Sequence, residues 1–378
     1  MRRRRGSSSI TLCYDTHESS FGRNRNCLLI WHLVGLRVSR LSKLNLVSHY
    51  IRELVVGLKI LQIVNFSDPG SAMSYYLRLL DGFSPQVWWI DDNEARRVGI
   101  GDPKQGIGTY FKAEPGEAIR DAIYRQASGF FGPNGEWPFH QTNLGPGQFY
   151  PRISRPIDQH PHDGLGWNRS AEIEPNVVAV ARGQLSALTR QLERICQTVH
   201  PQGKVLEAFG HDVRNLLILA CTEVETHWRG VMFANGAAQT GDRLSTLDYV
   251  KLNGAMRLGD YAVAFPNYPW LPPFKPFEGW GSTGKPTQEL EWYDAYNAAK
   301  HDRENAFEQA SLCRVFEAIS ACVVMIVAQF GLPGGLGPSS ELRSFFQFVA
   351  VPKWPLSEVY IFPYGSPTRE WTAENFSF

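Results

Sequence analysis

The sequence predicts a mainly α protein. It reads as a helical bundle of about four long helices with irregular aromatic-, Gly- and Pro-rich extensions and a few short strands. Three observations predict this. Two segments between residues 174 and 232 repeat apolar residues at alternating steps of three and four, the spacing of one helix face. Two more such segments lie between 291 and 330. The stretches before, between and after these pairs lose the helical period and are punctuated by Gly and Pro.

Residues 1–72 stand apart by charge. They carry 11 Lys and Arg against 4 Asp and Glu, while residues 73–378 carry 27 against 33. The formal net charge of +1 therefore averages a basic leader with a mildly acidic body. Such a body is a poor non-specific binder of nucleic acid. The leader opens with Arg at 2–5 and Ser at 7–9, and reaches an apolar stretch only at 27–36, broken by His32. A signal peptide places its apolar region closer to the charges and ends in small residues. Three expectations stay open: translation beginning at Met73, a transit-type targeting segment, or a genuine basic arm.

Residues 73–170 form an irregular region rich in aromatics, among them Trp88, Trp89, Phe130, Phe131, Trp137, Phe139 and Trp167. Only 116–128 carries a helical pattern, with Ala118, Ile119, Ala122 and Ile123 in phase. Residues 86–90 read as a short strand and most of the rest as loop.

The bundle occupies 171–337. Val178, Ala181, Leu185, Leu188, Leu192, Ile195 and Val199 predict a first amphipathic helix, with Pro175 suited to its first turn. A second helix is expected after Gly203, on Leu206, Phe209, Val213, Leu217, Ala220, Val224, Trp228 and Val231. The short connection implies an antiparallel pair. Residues 233–290 read as a long excursion from the helical body, with a strand at 261–265. The third helix carries Trp292, Tyr296, Ala299, the aliphatic stem of Arg303, and Ala306. The fourth carries Leu312, Phe316, Ile319, Val323, Ile326 and Phe330. Their phases differ, which predicts a break between 304 and 311 with Ser311 as N-cap. The tail, 338–378, is expected to hold strands at 346–351 and 358–362. No repeat of 20–50 residues is visible.

Six cysteines occur, none in a C-x-x-C pair, so a zinc ribbon or thioredoxin-type site is not expected and a reduced, cytoplasmic compartment is. The longest apolar run in the body, 318–330, is shorter than the roughly 20 residues of a membrane span and reads as a buried core helix.

Several short motifs carry chemistry on paper. Residues 279–285, Gly-Trp-Gly-Ser-Thr-Gly-Lys, satisfy G-x-x-x-x-G-K. A phosphate loop needs Ser or Thr next, a strand before and a helix after. Pro286 follows here and a Pro-rich coil precedes, so a Gly-rich surface loop is the expectation. Gly99, Gly101, Gly106 and Gly108 lack dinucleotide-fingerprint spacing. His160, His162 and Asp163 could ligate a metal, but a solvated turn is the plainer reading. Glu223 and His227 share one helix side, where a surface or helix-end ion pair is expected rather than a metal site. No metal or cofactor is expected.

The most informative segment is 293–303, Tyr-Asp-Ala-Tyr-Asn-Ala-Ala-Lys-His-Asp-Arg. Asn297 and His301 are four apart on one face, and Tyr293 and Lys300 flank it. An imidazole beside Lys300 and Arg303, opposed by Asp302, is poised for proton transfer near neutral pH. Lys300 and Arg303 can hold a phosphate. The plainer reading is a polar face solvated or paired within the bundle.

Residues 296–301, Tyr-Asn-Ala-Ala-Lys-His, with Arg303, Phe307, Ala310 and Leu312 leading into an apolar helix, resemble the HEPN group. These are all-helical domains, many of them ribonucleases of toxin and defence systems, whose compact motif reads Arg-Asn-x-x-x-His. Asn297 and His301 match it, and Tyr296 stands where the Arg belongs. The Arg is held to stabilise the scissile phosphate, so nuclease activity requires a substitute such as Lys300, Arg303 or Arg214. Arg194 and His200 also fit a bare Arg-to-His spacing, but Ile195 fills the polar position between them. The resemblance implies RNA as partner, a homodimer, and metal-independent cleavage. His301 would be general base or acid, Asn297 its orienting partner, and Lys300 or Arg303 the charge stabiliser. The alternative is a non-catalytic interaction or scaffold protein in which these residues tie helices together.

Overall fold

The structure, a computed structural model, describes residues 74–80, 83–155, 169–237, 244–337, 340–363 and 370–378. The chain divides between Pro69 and Gly70 into two units, and every described residue belongs to the second. The leader and the His160–His162–Asp163 cluster lie outside the described residues.

The protein is mainly α, with an antiparallel sheet at the start of the described chain. Strands β1 (Ser74–Leu80), β2 (Phe83–Ile90), β3 (Glu94–Arg97), β4 (Tyr110–Lys112) and β5 (His140–Gln141) form one five-stranded sheet in the order β4-β3-β2-β1-β5. Register pairs Leu77 with Val87, Tyr76 with Trp88 and Ile90 with Ala95. This corrects the reading of 73–170 as mostly loop. The reason is burial on both faces. Trp88, Ile90, Ala95 and Phe111 pack on Ile123 of helix α1 (Ile119–Ala127) and on Phe139. Leu77 and Val87 face the other way, onto Val359 and Ile361 of the tail. A sheet covered on both sides loses the polar-apolar alternation that marks a strand in sequence. The glycines at 99 and 101 sit in the exposed turn between β3 and β4.

Strand β6 (Gln148–Phe149) and the short helix α2 (Arg169–Ile173) precede the long helices. Helix α3 (Pro175–Thr198) has Pro175 in its first turn and buries Val178, Ala181, Leu185, Leu188 and Leu192, as the periodicity predicts. Helix α4 (His211–Ala234) starts later than expected. A 3-10 turn, Gly203–Glu207, comes first, and Phe209 is exposed outside the helix. Its buried face includes Val213, Leu217, Ala220, Val224, Trp228 and Val231.

Residues 244–290 are not an excursion from the helical body. Helices α5 (Thr246–Tyr249) and α6 (Lys251–Met256), strand β7 (Ala262–Ala264) and helix α7 (Pro286–Glu289) bury Tyr249, Leu252, Met256, Phe265, Phe277 and Trp280 in the same core as the long helices. Their elements are too short to show a period. Aromatic packing holds them instead: Trp228 stacks on Trp280 at 5.0 Å, and Trp292 and Tyr293 lie 6.2 and 5.3 Å from it.

Helix α8 (Glu291–His301) ends before the break expected at 304–311, leaving Arg303 and Ala306 outside it, and helix α9 (Leu312–Phe330) begins after Ser311, whose extended backbone suits an N-cap but whose side chain makes no capping bond. Helix α9 is the axis of the core and contacts α3, α4 and α8. Among the described residues it is the one helix long and apolar enough to cross a membrane, and it is buried inside the protein. Helix α10 (Leu332–Leu336) closes its end, where Arg182 of α3 donates to the Gly335 carbonyl at 2.7 Å. Helix α11 (Glu341–Phe345) leads to strand β8 (Gln347–Ala350), which pairs with β7. The strand expected at 358–362 is absent. Those residues run as coil against the sheet, and β9 (Thr372–Ala373) pairs with β6 instead.

Candidate functional site

Helix α8 lies against α4 and α9, so its residues divide by face. Trp292, Tyr293, Ala295, Tyr296 and Ala299 point into the core. Asn297 is half-buried, and Lys300, His301, Asp302 and Arg303 are exposed. The helix thus places the polar half of the motif at its C-terminal end, where basic side chains also suit the helix dipole.

Most of the motif's polar atoms have protein partners. Asn297 Nδ2 donates to the Tyr293 carbonyl one turn back, at 2.9 Å. Lys300 Nζ donates to the Tyr296 hydroxyl at 2.8 Å and lies 4.9 Å from the ring centroid. Tyr296 itself is buried between helices. Arg214, in the first turn of α4, donates Nε and Nη2 to the Ala299 carbonyl at 3.2 and 3.1 Å. That carbonyl belongs to the last turn of α8, so the guanidinium caps it. Tyr293 donates its hydroxyl to Glu225 of α4 at 2.7 Å. Burial first, then that carboxylate, pushes the Tyr293 phenol well above its ordinary range. Asp302 accepts from the Asn305 backbone and side-chain amides at 3.2 and 3.0 Å.

His301, the last residue of α8, and Arg303, two residues beyond it, remain at the surface. Near the start of α4, Phe307 packs edge-on against Phe209 and lies 5.1 Å from the His211 ring. A groove of about 830 Å³ runs between α3 and α4, lined by Arg194, Thr198, His211, Asp212, Asn215 and Leu219. His200 does not join Arg194 there; its ring packs on Trp270 at 4.8 Å.

The Glu223–His227 expectation is corrected. His227 is buried, not at the surface. Gln329 Nε2 of α9 also donates to the Met325 carbonyl at 2.8 Å, which fixes its amide orientation. His227 Nδ1, 3.0 Å from that amide, therefore accepts, and Nε2 carries the proton. Nε2 is 3.4 Å from Glu223, too long for a good hydrogen bond. Burial, with the Arg152 charge nearby, lowers the imidazole to about 4, and burial raises the Glu223 carboxyl. The imidazole is neutral at pH 7, so the two do not form an ion pair. Sequence spacing shows the shared helix side; it does not show that α9 covers it. Among the described residues, no group of three or more His, Cys, Asp or Glu is placed to hold a metal ion. Cys196, Cys221, Cys313 and Cys322 are free thiols.

No family model matches the chain, and neither a curated protein nor a solved structure matches it.

Proposed function

We propose that this chain is a HEPN-like four-helix-bundle protein, α3, α4, α8 and α9, acting as a non-catalytic interaction module in the cytoplasm. One observation carries the reading: two polar side chains of the motif, and the neighbouring Arg214, are bonded to other groups of the protein. Asn297 is bonded to the Tyr293 carbonyl, Lys300 to the Tyr296 hydroxyl, and Arg214 to the Ala299 carbonyl. Tyr296, at the position of the family's Arg, is buried. Lys300 and Arg214, two of the three cations offered in place of that Arg, already direct donors to these bonds.

A second reading, RNA binding with metal-independent cleavage, draws support from the exposure of His301 and Arg303 at the end of α8. In it His301 moves the 2′-hydroxyl proton and Arg303 stabilises the phosphate. The test is cleavage of a fluorescently labelled single-stranded RNA in EDTA by the wild type and His301→Ala. The interaction reading expects no turnover in either. Cleavage by the wild type that His301→Ala abolishes overturns it. Sedimentation velocity on the same samples tests the homodimer that the resemblance implies.

A further inference from the structure

The loop at 279–285, unused by the reading above, converges its donors on one carboxylate. Glu289 Oε2 accepts from the Gly281 backbone N–H at 2.5 Å. Its Oε1 accepts from the Thr283 N–H at 2.5 Å and the Thr283 hydroxyl at 2.6 Å. The Lys285 N–H points to the same oxygen from 3.4 Å. Gly279, Gly281 and Gly284 have φ of 73°, 94° and 77°. This left-handed backbone suits glycine, and it turns alternate N–H groups to one side as a concave nest for an anion. We propose that this nest is a binding site for a phosphoryl group, which Glu289 occupies as an internal stand-in until the ligand displaces it.

The two ends of the loop are anchored without Glu289. Trp280 is buried, donates its indole N–H to the Pro286 carbonyl at 3.0 Å, and accepts at its own carbonyl from Asn253 at 2.6 Å. Thr287 bonds Thr246 of α5 at 2.7 Å. The loop is therefore held at Trp280 and Thr287, while residues 281–285 are exposed to an incoming ligand. The strength of the cradle shows in Glu289, whose carboxyl is held down at about 2, first by the Thr283 hydroxyl and then by the backbone donors.

The donor geometry favours a phosphoryl group over a second carboxylate. Three donors lie close to the two oxygens of Glu289, and the fourth, Lys285 N–H, is left long. A tetrahedral oxyanion brings a third oxygen and up to a second charge. Lys285, next to the nest in sequence and exposed, carries a cation that a phosphate can use. With Pro286 next and no strand before, the loop lacks the hydroxyl and scaffold of a nucleotide-hydrolysing phosphate loop, so binding without hydrolysis is inferred. Glu289 competes as a tethered ligand, which lowers the apparent affinity of the wild type by the fraction of time the nest is closed.

The test is titration of the full chain with inorganic phosphate, followed by the backbone amide resonances of Gly281, Thr283 and Lys285. Parallel arms use a nucleoside triphosphate and a short single-stranded RNA. Both wild type and Glu289→Ala should shift at these amides, the variant saturating at phosphate concentrations at least tenfold lower. Adding Thr283→Val to the variant should reverse much of that gain. Tighter binding of the triphosphate or of the RNA than of free phosphate assigns the source of the phosphoryl group. A folded Glu289→Ala whose loop amides do not move with any of the three overturns the site. If Glu289→Ala fails to fold, Glu289→Gln carries the same two outcomes, because its uncharged amide is a weaker competitor.

Discussion

Gln329 on α9 donates its side-chain amide to Nδ1 of His227 on α4 at 3.0 Å, a buried bond that joins the two helices, and the burial keeps the imidazole neutral. The unfolded chain takes up a proton at this histidine as pH falls through 6.5, whereas the folded chain resists until about 4. The unfolded state binds more protons in that window, so the stability present above pH 6.5 declines toward pH 4. The loss from this residue is at most about 3 kcal/mol. Glu223, raised by burial, has the opposite sign: its contribution is present at low pH and lost as pH rises through its folded value. Urea unfolding of the wild type and His227→Leu between pH 7 and 4.5 separates them. The variant should lose less stability over that range; parallel curves would refute the assignment.

Tyr293→Phe keeps the ring in the Trp228 cluster and removes only the hydroxyl bonded to Glu225. A hydrogen bond to a charged partner contributes about 1.5–3 kcal/mol, less where the carboxylate can rehydrate. Glu225 is half-buried, so a loss of about 1–2 kcal/mol is expected from chemical denaturation. No change within error would mean that water replaces the phenol at no cost.

Arg214→Ala removes both bonds to the Ala299 carbonyl. The last turn of α8 then loses its cap, and the Asp302 amide, bonded to Ala298 at 2.8 Å, should exchange with solvent faster. A stability loss of about 1 kcal/mol accompanies it. Unchanged exchange at Asp302 would show that the helix end is held by other contacts.

Gly147→Ala tests how the tail is held. Gly147 has φ of 80°, and a Cβ there would lie 2.8 Å from Pro363 and 2.9 Å from the Glu370 carbonyl. Its amide donates to Ile361 and its carbonyl accepts from Thr372, at 2.8 and 2.7 Å. The left-handed backbone alone costs an alanine about 1–2 kcal/mol. Limited proteolysis should cut the variant in the tail ahead of the helical core; equal cleavage rates would contradict this.

The legible parts of the fold are those with a long repeating face. Val178 through Leu192 and Leu312 through Phe330 each line up over several turns, and each proves buried. The break between α8 and α9 was readable for the same reason, since a phase jump needs two registers to compare. The strand at 86–90 is legible in the sequence, but the sheet around it is not, because neighbouring residues of β2 such as Val87 and Trp88 are buried on opposite faces. Tyr249, Phe277 and Trp280 sit on elements shorter than two turns and join the core through ring packing. Of the site residues, Asn297, Lys300 and His301 are placed on one helix by spacing, but that the helix stops at His301 and leaves Arg303 outside it is not readable. The engagement of Asn297, Lys300 and Arg214 required the neighbouring carbonyls and hydroxyl to be seen.

The sequence by itself determined the mainly α class, the long helices and the polar segment that ends α8, because helical burial writes its period into consecutive residues. Tertiary structure decided what the polar residues meet. The same Glu-x-x-x-His spacing that suits a solvated pair became a buried neutral imidazole once α9 covered it. A Gly-rich run that reads as surface loop became a nest around Glu289, because left-handed glycines turned its amides to one point. Partners brought together by folding leave no fixed spacing in the chain, so only their convergence in space reveals the chemistry.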